Sequence, residues 1–307
     1  LDVTRGLRDG GRSVAAGSHW SRNALVVGQL ALSVVLLSAA GLTMRTLSHL
    51  QSVDLGFTPT RILTAHIAPR ERPEAFFIDL LQRVRALPDV AMAGATSHAP
   101  MTRGNLSLHV FPVGAARLAP TESVQADWRI VTDGYFGAME TPVLAGRDFS
   151  VRDDEDAPKV IIVNQTLARM VWGDRDPVGR QLDLGGGGGD PATVVGLVRD
   201  TRHHDPAVGP SPTYYVPAAG GVWGSMTLVI RTGADAATLV PRLRTVVAEL
   251  DPTLPVYDVN SMDALVLRRL APQRLIAGVL TGFGAIALVL AVLGIYGVMA
   301  FSTRQRA

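Results

Sequence analysis

The chain has 307 residues, a formal net charge of +2 and no cysteine. That length bounds it to one or two domains, the near-neutral balance excludes bulk attraction to nucleic acid, and the missing thiols exclude disulfides, thiol catalysis and cysteine-based metal sites. The mean hydropathy is +0.23 and the pI about 9.3, the latter reflecting a small arginine excess, since Lys159 is the only lysine.

Residues 1–23 carry Arg5, Arg8, Arg12 and Arg22, and read as a cytoplasmic N-terminal segment. An uncharged run of 21 residues follows, Ala24 to Met44, closed by Arg22 and Arg45. As a helix it spans roughly 31 Å, the thickness of a bilayer core, so 24–44 is the first expected transmembrane helix. A secretory signal has an apolar stretch of only about 7–15 residues, and this run is longer and starts late. Gln29 inside it calls for a protein-facing position, because a lone amide in lipid is costly.

The next segment, 45–274, reads as an ordinary water-facing domain. Ile62–Ile67 is a predicted strand; Pro73 opens a helix whose Phe77, Leu80, Leu81, Val84 and Leu87 recur at helical spacing; Val90–Ser97 is a strand again. Val124, Ala126, Trp128 and Ile130 alternate as in a half-buried strand. Val160–Val163 is a predicted strand, and Asn164 caps a helix over Gln165–Trp172 that Gly173 stops. Arg180–Leu184 and Thr193–Val198 are strands around Gly185–Gly189. A second strand–helix–strand unit follows: Met226–Thr232, then Leu239, Leu243, Val246, Val247 and Leu250 on one helix face, then Val256–Val259. Pro241 must lie in the first turn of that helix or kink it, and Ser261 can cap a last helix leading to Pro272.

The second uncharged run, Leu275 to Phe301, has 27 residues between Arg274 and Arg304. At roughly 40 Å it exceeds the bilayer core, so it tilts or extends into the interface. Arginines before the first run, and Arg304 and Arg306 after the second, put both outer ends in the cytoplasm and residues 45–274 outside it. Arg268, Arg269 and Arg274 weaken that contrast. Gly278 and Gly282 form a GxxxG pair that lets helix backbones approach closely.

The expected fold class is therefore an α+β membrane protein: two transmembrane helices, 24–44 and 275–301, flank an extracytoplasmic domain over 45–274. The two β–α–β halves, 57–112 and 211–265, pair into one split α/β sheet, ferredoxin-like in style. A β-rich subdomain over 113–210 is inserted between them, and 302–307 starts a cytoplasmic segment.

No candidate for catalysis or ligation stands against its plainer reading. Gly185–Gly189 has no Lys-Ser or Lys-Thr after it, so it is a hairpin turn and not a phosphate loop. His203 and His204, being adjacent, point apart in an extended chain and read as a solvated loop with Asp205. Asp153 to Asp156 lacks the interleaved ligands and glycine turn of a calcium loop and reads as an exposed acidic run. Ser97-His98 and Ser18-His19 have no G-x-S-x-G context. The expectation is a protein that is not an enzyme, with no cofactor, no metal and no nucleic-acid partner.

An ordered series of short motifs carries a resemblance along nearly the whole chain. Leu25 to Ser33, Ala40-Gly41-Leu42 and Val53 to Phe57 come first, then Gly134-Tyr135-Phe136, Ala145 to Phe149, Val163 to Ala168, Asp176 to Gly179, Val194 to Val198 and Tyr215-Val216-Pro217. Asp251-Pro252, Leu254-Pro255-Val256 and Gly294 to Met299 complete it. The series resembles MacB/FtsX-type ABC transporter permeases, above all a duplicated, ATPase-less orphan branch of acidobacteria and other soil bacteria. The resemblance implies four membrane helices per repeat, with the periplasmic core domain between the first and second, and within that domain a porter-like subdomain of the paired β–α–β halves, 57–112 and 211–265, beside the inserted β-rich one. It therefore also implies a longer permease of which this sequence is a part. It implies a separate cytoplasmic ABC ATPase, reached through a coupling segment that starts at Arg304, Gln305 and Arg306. Further partners it implies are the lipid bilayer, a homodimer or pseudo-dimer with a second permease repeat, and a periplasmic partner. The function implied is mechanotransmission from the ATPase to the outer domain, in the inner membrane. Topology alone also fits a two-span sensor with an extracytoplasmic ligand-binding domain.

Overall fold

A computed structural model of the chain describes residues 6–70, 73–102, 104–113, 123–150, 152–154, 156–184, 191–220 and 224–304. It divides into two compact units, one made of the chain ends up to Val53 and from Leu270, the other of Asp54–Arg269.

The first unit is a pair of long helices. α1 runs Gly6–Ser52 and α7 runs Ala271–Arg304. Within them Val27–Ser52 and Ala271–Gly297 are long and apolar enough to cross a membrane, so each stretch runs past its uncharged run at the end that joins the second unit in sequence. Large apolar side chains face outward along both, among them Val27, Leu42, Leu275 and Phe283. The buried positions are mostly small: Ser33, Ala40, Ala277 and Ala291. Small residues let two helices approach where lipid offers no hydrophobic drive between them. Ser33 Oγ and Thr281 Oγ1 donate to the carbonyls of Gln29 and Ala277, four residues back, which satisfies each hydroxyl inside its own helix.

Among its described residues the second unit holds eleven strands and five shorter α-helices. In chain order they are β1 (Ile62–Ile67), α2 (Pro73–Arg85), β2 (Val90–Thr96), β3 (Ser107–Pro112), β4 (Val124–Val131), α3 (Tyr135–Met139), β5 (Val143–Gly146), β6 (Val160–Asn164) and α4 (Gln165–Trp172). Then come β7 (Gln181–Leu184), β8 (Ala192–Val198), β9 (Thr213–Pro217), β10 (Met226–Thr232), α5 (Ala236–Leu250), β11 (Tyr257–Ser261) and α6 (Met262–Arg269).

Four strands lie in the order β11-β1-β10-β2, each pair antiparallel. Each half supplies β–α–β, and each half's two strands have a strand of the other half between them. α2 and α5 cover one face, where Phe77, Leu80 and Val84 meet Leu239, Leu243 and Val247 over Leu63, Ala65, Leu228 and Ile230. The opposite face is covered too: Ile62 and Val229 pack with Phe136, Met139 and Met262. All seven residues of β10 are buried, as a central strand covered on both sides requires. Asp235 caps α5, its side chain accepting from the Ala237 N–H. Pro241 sits in the second turn of α5 and not the first, and the helix continues through it.

Six of the remaining seven strands close into a ring, and the seventh, β5, pairs with β8 outside it. β4 pairs β3, β3 pairs β7, β7 pairs β8, β8 pairs β6, β6 pairs β9, and β9 returns to β4 in parallel. β8 alternates buried and half-buried residues without a break, the period of a strand with one face in a core. That core holds Val110, Ile161, Val163, Leu182, Val194 and Tyr214, with Leu167 and Trp172 of α4 packed against it. The Asn164 side chain accepts from the Leu167 N–H, and Gly173 takes a φ of 66° at the end of α4. β3 and β9 lie outside 113–210 in sequence yet belong to this ring, because ladder pairing joins strands far apart in the chain. Gly185–Gly189 lies outside the described residues. Among the described residues β2 meets β4 with Thr96 opposite Val131, which joins the sheet to the ring.

Candidate functional site

The chain enters the second unit at Asp54. Gly56 takes a φ of +79°, and a Cβ there would lie 1.8 Å from the Asp200 carbonyl oxygen, so only glycine permits this approach. The Arg202 N–H donates to the Leu55 carbonyl at 2.9 Å, and the Arg199 guanidinium pairs with the Asp54 carboxylate. Arg231 on β10 fixes the following residues: its Nε donates to the Ala138 carbonyl at 2.8 Å, and its Nη1 and Nη2 to those of Thr60 and Thr58 at 3.2 and 2.9 Å. The incoming chain is thereby tied to segment 199–202 after β8, to α3 and to the central strand.

The chain leaves through α6. Arg269 at its last turn donates through Nε to the Met101 carbonyl at 3.0 Å and through Nη2 to that of Thr102 at 2.6 Å. The Met101 N–H in turn donates to the His203 carbonyl at 2.8 Å. Met101 is buried and holds a left-handed φ of 63°. That region costs a bulky residue about 1–3 kcal/mol and persists only where the surroundings over-determine it. Segment 199–203 thus receives the incoming chain directly and the outgoing helix through a two-residue strap.

A buried polar cluster backs this junction. Arg129 on β4 is 1 % exposed; its Nη1 donates to the His98 carbonyl at 2.9 Å, its Nη2 to Asn105 Oδ1 at 3.3 Å, and its Nη2 stands 3.6 Å from Asp127. Asp127 accepts from Asn105 and Ser107 at 2.7 Å and pairs with His204 Nε2 at 2.9 Å. Burial alone would raise its pKa; the bonds from Asn105, Ser107 and His204, with the Arg129 charge, outweigh this and hold the carboxyl below its ordinary value. His203 pairs through Nε2 with the Tyr215 hydroxyl at 3.1 Å. Burial, with the charges of Arg129 and His204, holds its pKa well below 6.5, so the ring is neutral at pH 7. Burial lifts Tyr215 far above the usual phenol range. Such a network resists deformation because each lost bond strands a buried polar group.

Two expectations are corrected here. His203 does not lie in a solvated loop: it is 4 % exposed, and only His204 reaches toward water. The two imidazoles do point to different partners. Asp153 is not part of an exposed run either. It is buried and grips Arg147 with both oxygens at 2.7 Å, while Asp154 and Asp156 stay near the surface. Ser97 Oγ accepts from the Ile130 N–H and lies 3.2 Å from His98 Nδ1, a structural role. Asp127 and Arg129 had no signal beyond their spacing. They fall on the strand phase opposite Val124, Ala126, Trp128 and Ile130, which alternation alone sends to solvent.

Gly278 and Gly282 lie on α7, and a Cβ on either would meet no described atom within 4 Å. A Cβ on Gly284 would come 3.1 Å from the Leu37 side chain of α1, so it is Gly284 that faces the helix partner within this chain. Arg304 is the last residue of α7; Gln305 and Arg306 lie outside the described residues. Among the described residues no three His, Asp or Glu side chains gather as a metal site.

Three solved structures resemble part of the chain. The periplasmic region of MacB from Actinobacillus actinomycetemcomitans matches with a TM-score of 0.47 and 12 % identity, over 68 % of this chain and 92 % of that one. The extracellular domain of the noncanonic ABC-type transporter YknZ from Gram-positive bacteria matches at 0.42 and 15 %, over 64 % and 100 %. A domain of a permease protein from Porphyromonas gingivalis matches at 0.41 and 12 %, over 67 % and 91 %. No curated protein matches the chain. Residues 24–246 match the MacB-like periplasmic core domain, which is nearly three-quarters of the sequence, and the chain belongs to that family.

Proposed function

We propose that the chain is the membrane component of an ABC-type export system and transmits motion from a separate cytoplasmic ATPase to its periplasmic domain. It is a multi-pass inner-membrane protein in this reading. The residues from Arg304 through Gln305 and Arg306 couple to the ATPase, and the Gly278–Gly282 face of α7 packs on a helix of a second copy or a second permease repeat. The observation that carries the reading is the junction at segment 199–203. Both chain ends of the outer domain are hydrogen-bonded toward one segment, so relative movement of two membrane helices would load a single stiff element and not be lost in flexible linkers.

Two experiments test it. Co-purification of the full-length protein from its host should recover a cytoplasmic ATPase, and altering Arg304 and the residues after it should abolish the recovery. Recovery of a kinase in its place favours the two-span sensor. The second experiment locks the rung between sheet and ring with a Thr96→Cys, Val131→Cys pair. Antiparallel partners of this kind stand about 4.5–5.5 Å apart, within disulfide reach, and the chain has no cysteine of its own to confuse the result. Oxidation should stop transport and reduction restore it; transport unchanged by oxidation sinks mechanotransmission.

A further inference from the structure

A cleft of about 710 Å³ opens in the second unit between β1, β11, segment 97–102 and α6. Among the described residues that line it, Met101, Leu265 and the Tyr257 ring are apolar and the others carry polar or charged groups. Small-molecule sites run about 300–1,000 Å³, so the space suits a ligand larger than a bare inorganic ion.

The charges define the ligand further. Arg268 and Arg269 stand against one lining carboxylate, Asp258. Arg269 is held in place by the Met101 and Thr102 carbonyls, which occupy its Nε and Nη2 and leave Nη1. Arg268 is exposed and makes no hydrogen bond or ion pair among the described residues. Two imidazoles join them. His66 Nδ1 is paired with Thr227 Oγ1 at 3.1 Å and His98 Nδ1 with Ser97 Oγ at 3.2 Å, so each leaves Nε2 for another partner. Guanidinium forks supported by imidazole and hydroxyl donors match a phosphate's several acceptor oxygens. In sequence, only Leu270 separates these arginines from Ala271, where the apolar α7 begins. The cleft's cations therefore stand, along the chain, at the membrane boundary.

We propose that this cleft binds a phosphate-bearing anion with a polar organic body, the chemistry of a phospholipid headgroup or a soluble phosphate ester. A ligand seated there touches the same Met101, Thr102 and Arg269 that tie α6 to the strap, so its presence stiffens the outgoing connection. The inference goes beyond the permease reading and needs no ATPase; its failure leaves that reading standing.

The test uses the whole 307-residue chain in neutral maltoside micelles, with glycerol 3-phosphate titrated by calorimetry and glycerol as the phosphate-free control. Saturable binding is expected, weakened about tenfold or more by Arg268→Gln, as for loss of a charge-assisted bond, and unchanged by Arg45→Gln on α1. His66→Gln is the second variant, and near-ultraviolet circular dichroism checks that each folds. Phosphatidylglycerol vesicles that displace glycerol 3-phosphate identify a lipid headgroup; binding that vesicles leave intact identifies a soluble ester. No saturable binding, equal binding of glycerol, or binding unmoved by both Arg268→Gln and His66→Gln overturns the proposal.

Discussion

Asp127 and Arg129 are two residues apart on β4, so their side chains share one face of the strand, and that face is buried. Removing Arg129 leaves the Asp127 carboxylate in a dry setting with only neutral donors and His204. Breaking one partner of a buried pair costs roughly 3–5 kcal/mol. Arg129→Leu should therefore lower the melting temperature of the outer domain by roughly 6–20 °C, and adding Asp127→Asn should recover part of the loss. A scan of the whole chain in micelles checks the order of the three variants. The acid response of the same cluster has a definite sign. His203 has a folded pKa below 6.5, so below that pH the unfolded chain takes up a proton the folded ring refuses. Stability should fall as the pH drops from 6.5 toward the folded value, by about 1.4 kcal/mol per pH unit for this one ring. His66 and His98 act in the same direction, more weakly because both are half exposed. Asp127 enters only lower down: its contribution is present above its unfolded pKa of 3.8 and is lost as the pH falls through the lower folded value. His203→Gln should flatten the upper part of the profile, measured as melting temperature against pH, and leave the lower part in place.

Elements differ in how far their residues announce them. α2 and α5 were legible because Phe77, Leu80, Val84 and Leu239, Leu243, Val247 repeat at the helical period, and that face is the one they bury. β10 and the Asn164 cap were equally plain. β3, β5 and β9 were not. β5 is four residues ending in Gly146, β9 is bounded by Pro212 and Pro217, and β3 ends in Pro112; each owes its existence to partners distant in sequence. The burial of Asp153 and His203 was hidden for the same reason, since acidity and polarity predict solvent unless the partner is known. The α3–β2 packing gives a sharp test of one such long-range contact. A Cβ on Gly94 would lie 2.6 Å from the Tyr135 Cα and N, which are backbone atoms and cannot rotate away. Gly94→Ala should force β2 and α3 apart and destabilise the domain by about 1–3 kcal/mol. Gly28→Ala, where a Cβ meets nothing within 4 Å, should be neutral or stabilise α1 by roughly 0.5–1 kcal/mol. A melting curve that moves equally for both variants would refute the close approach.

At the scale of the whole molecule, the two apolar helices and the domain between them were legible from charge placement, while the chemistry of association was only half written. A GxxxG pair states that a helix can approach another closely; it does not say which one. In this chain the close approach to α1 is made by Gly284 against Leu37, and Gly278 and Gly282 stand with nothing within 4 Å of a Cβ. These two facts separate the roles. Gly284→Leu should disturb the α1–α7 pair itself, seen as faster proteolysis between the helices in lipid nanodiscs. Gly278→Leu with Gly282→Leu should leave that pair intact and weaken association with a second copy or repeat. Packing of membrane helices through small residues contributes about 1–2 kcal/mol in model peptides, so the dissociation constant, followed by cross-linking at graded protein-to-lipid ratios, should rise roughly 5–30-fold. If the double variant instead unfolds the α1–α7 pair, the glycine face serves the fold of this chain. If it changes neither proteolysis nor association, the face meets lipid, and the proposed packing of a second copy or repeat on it is overturned.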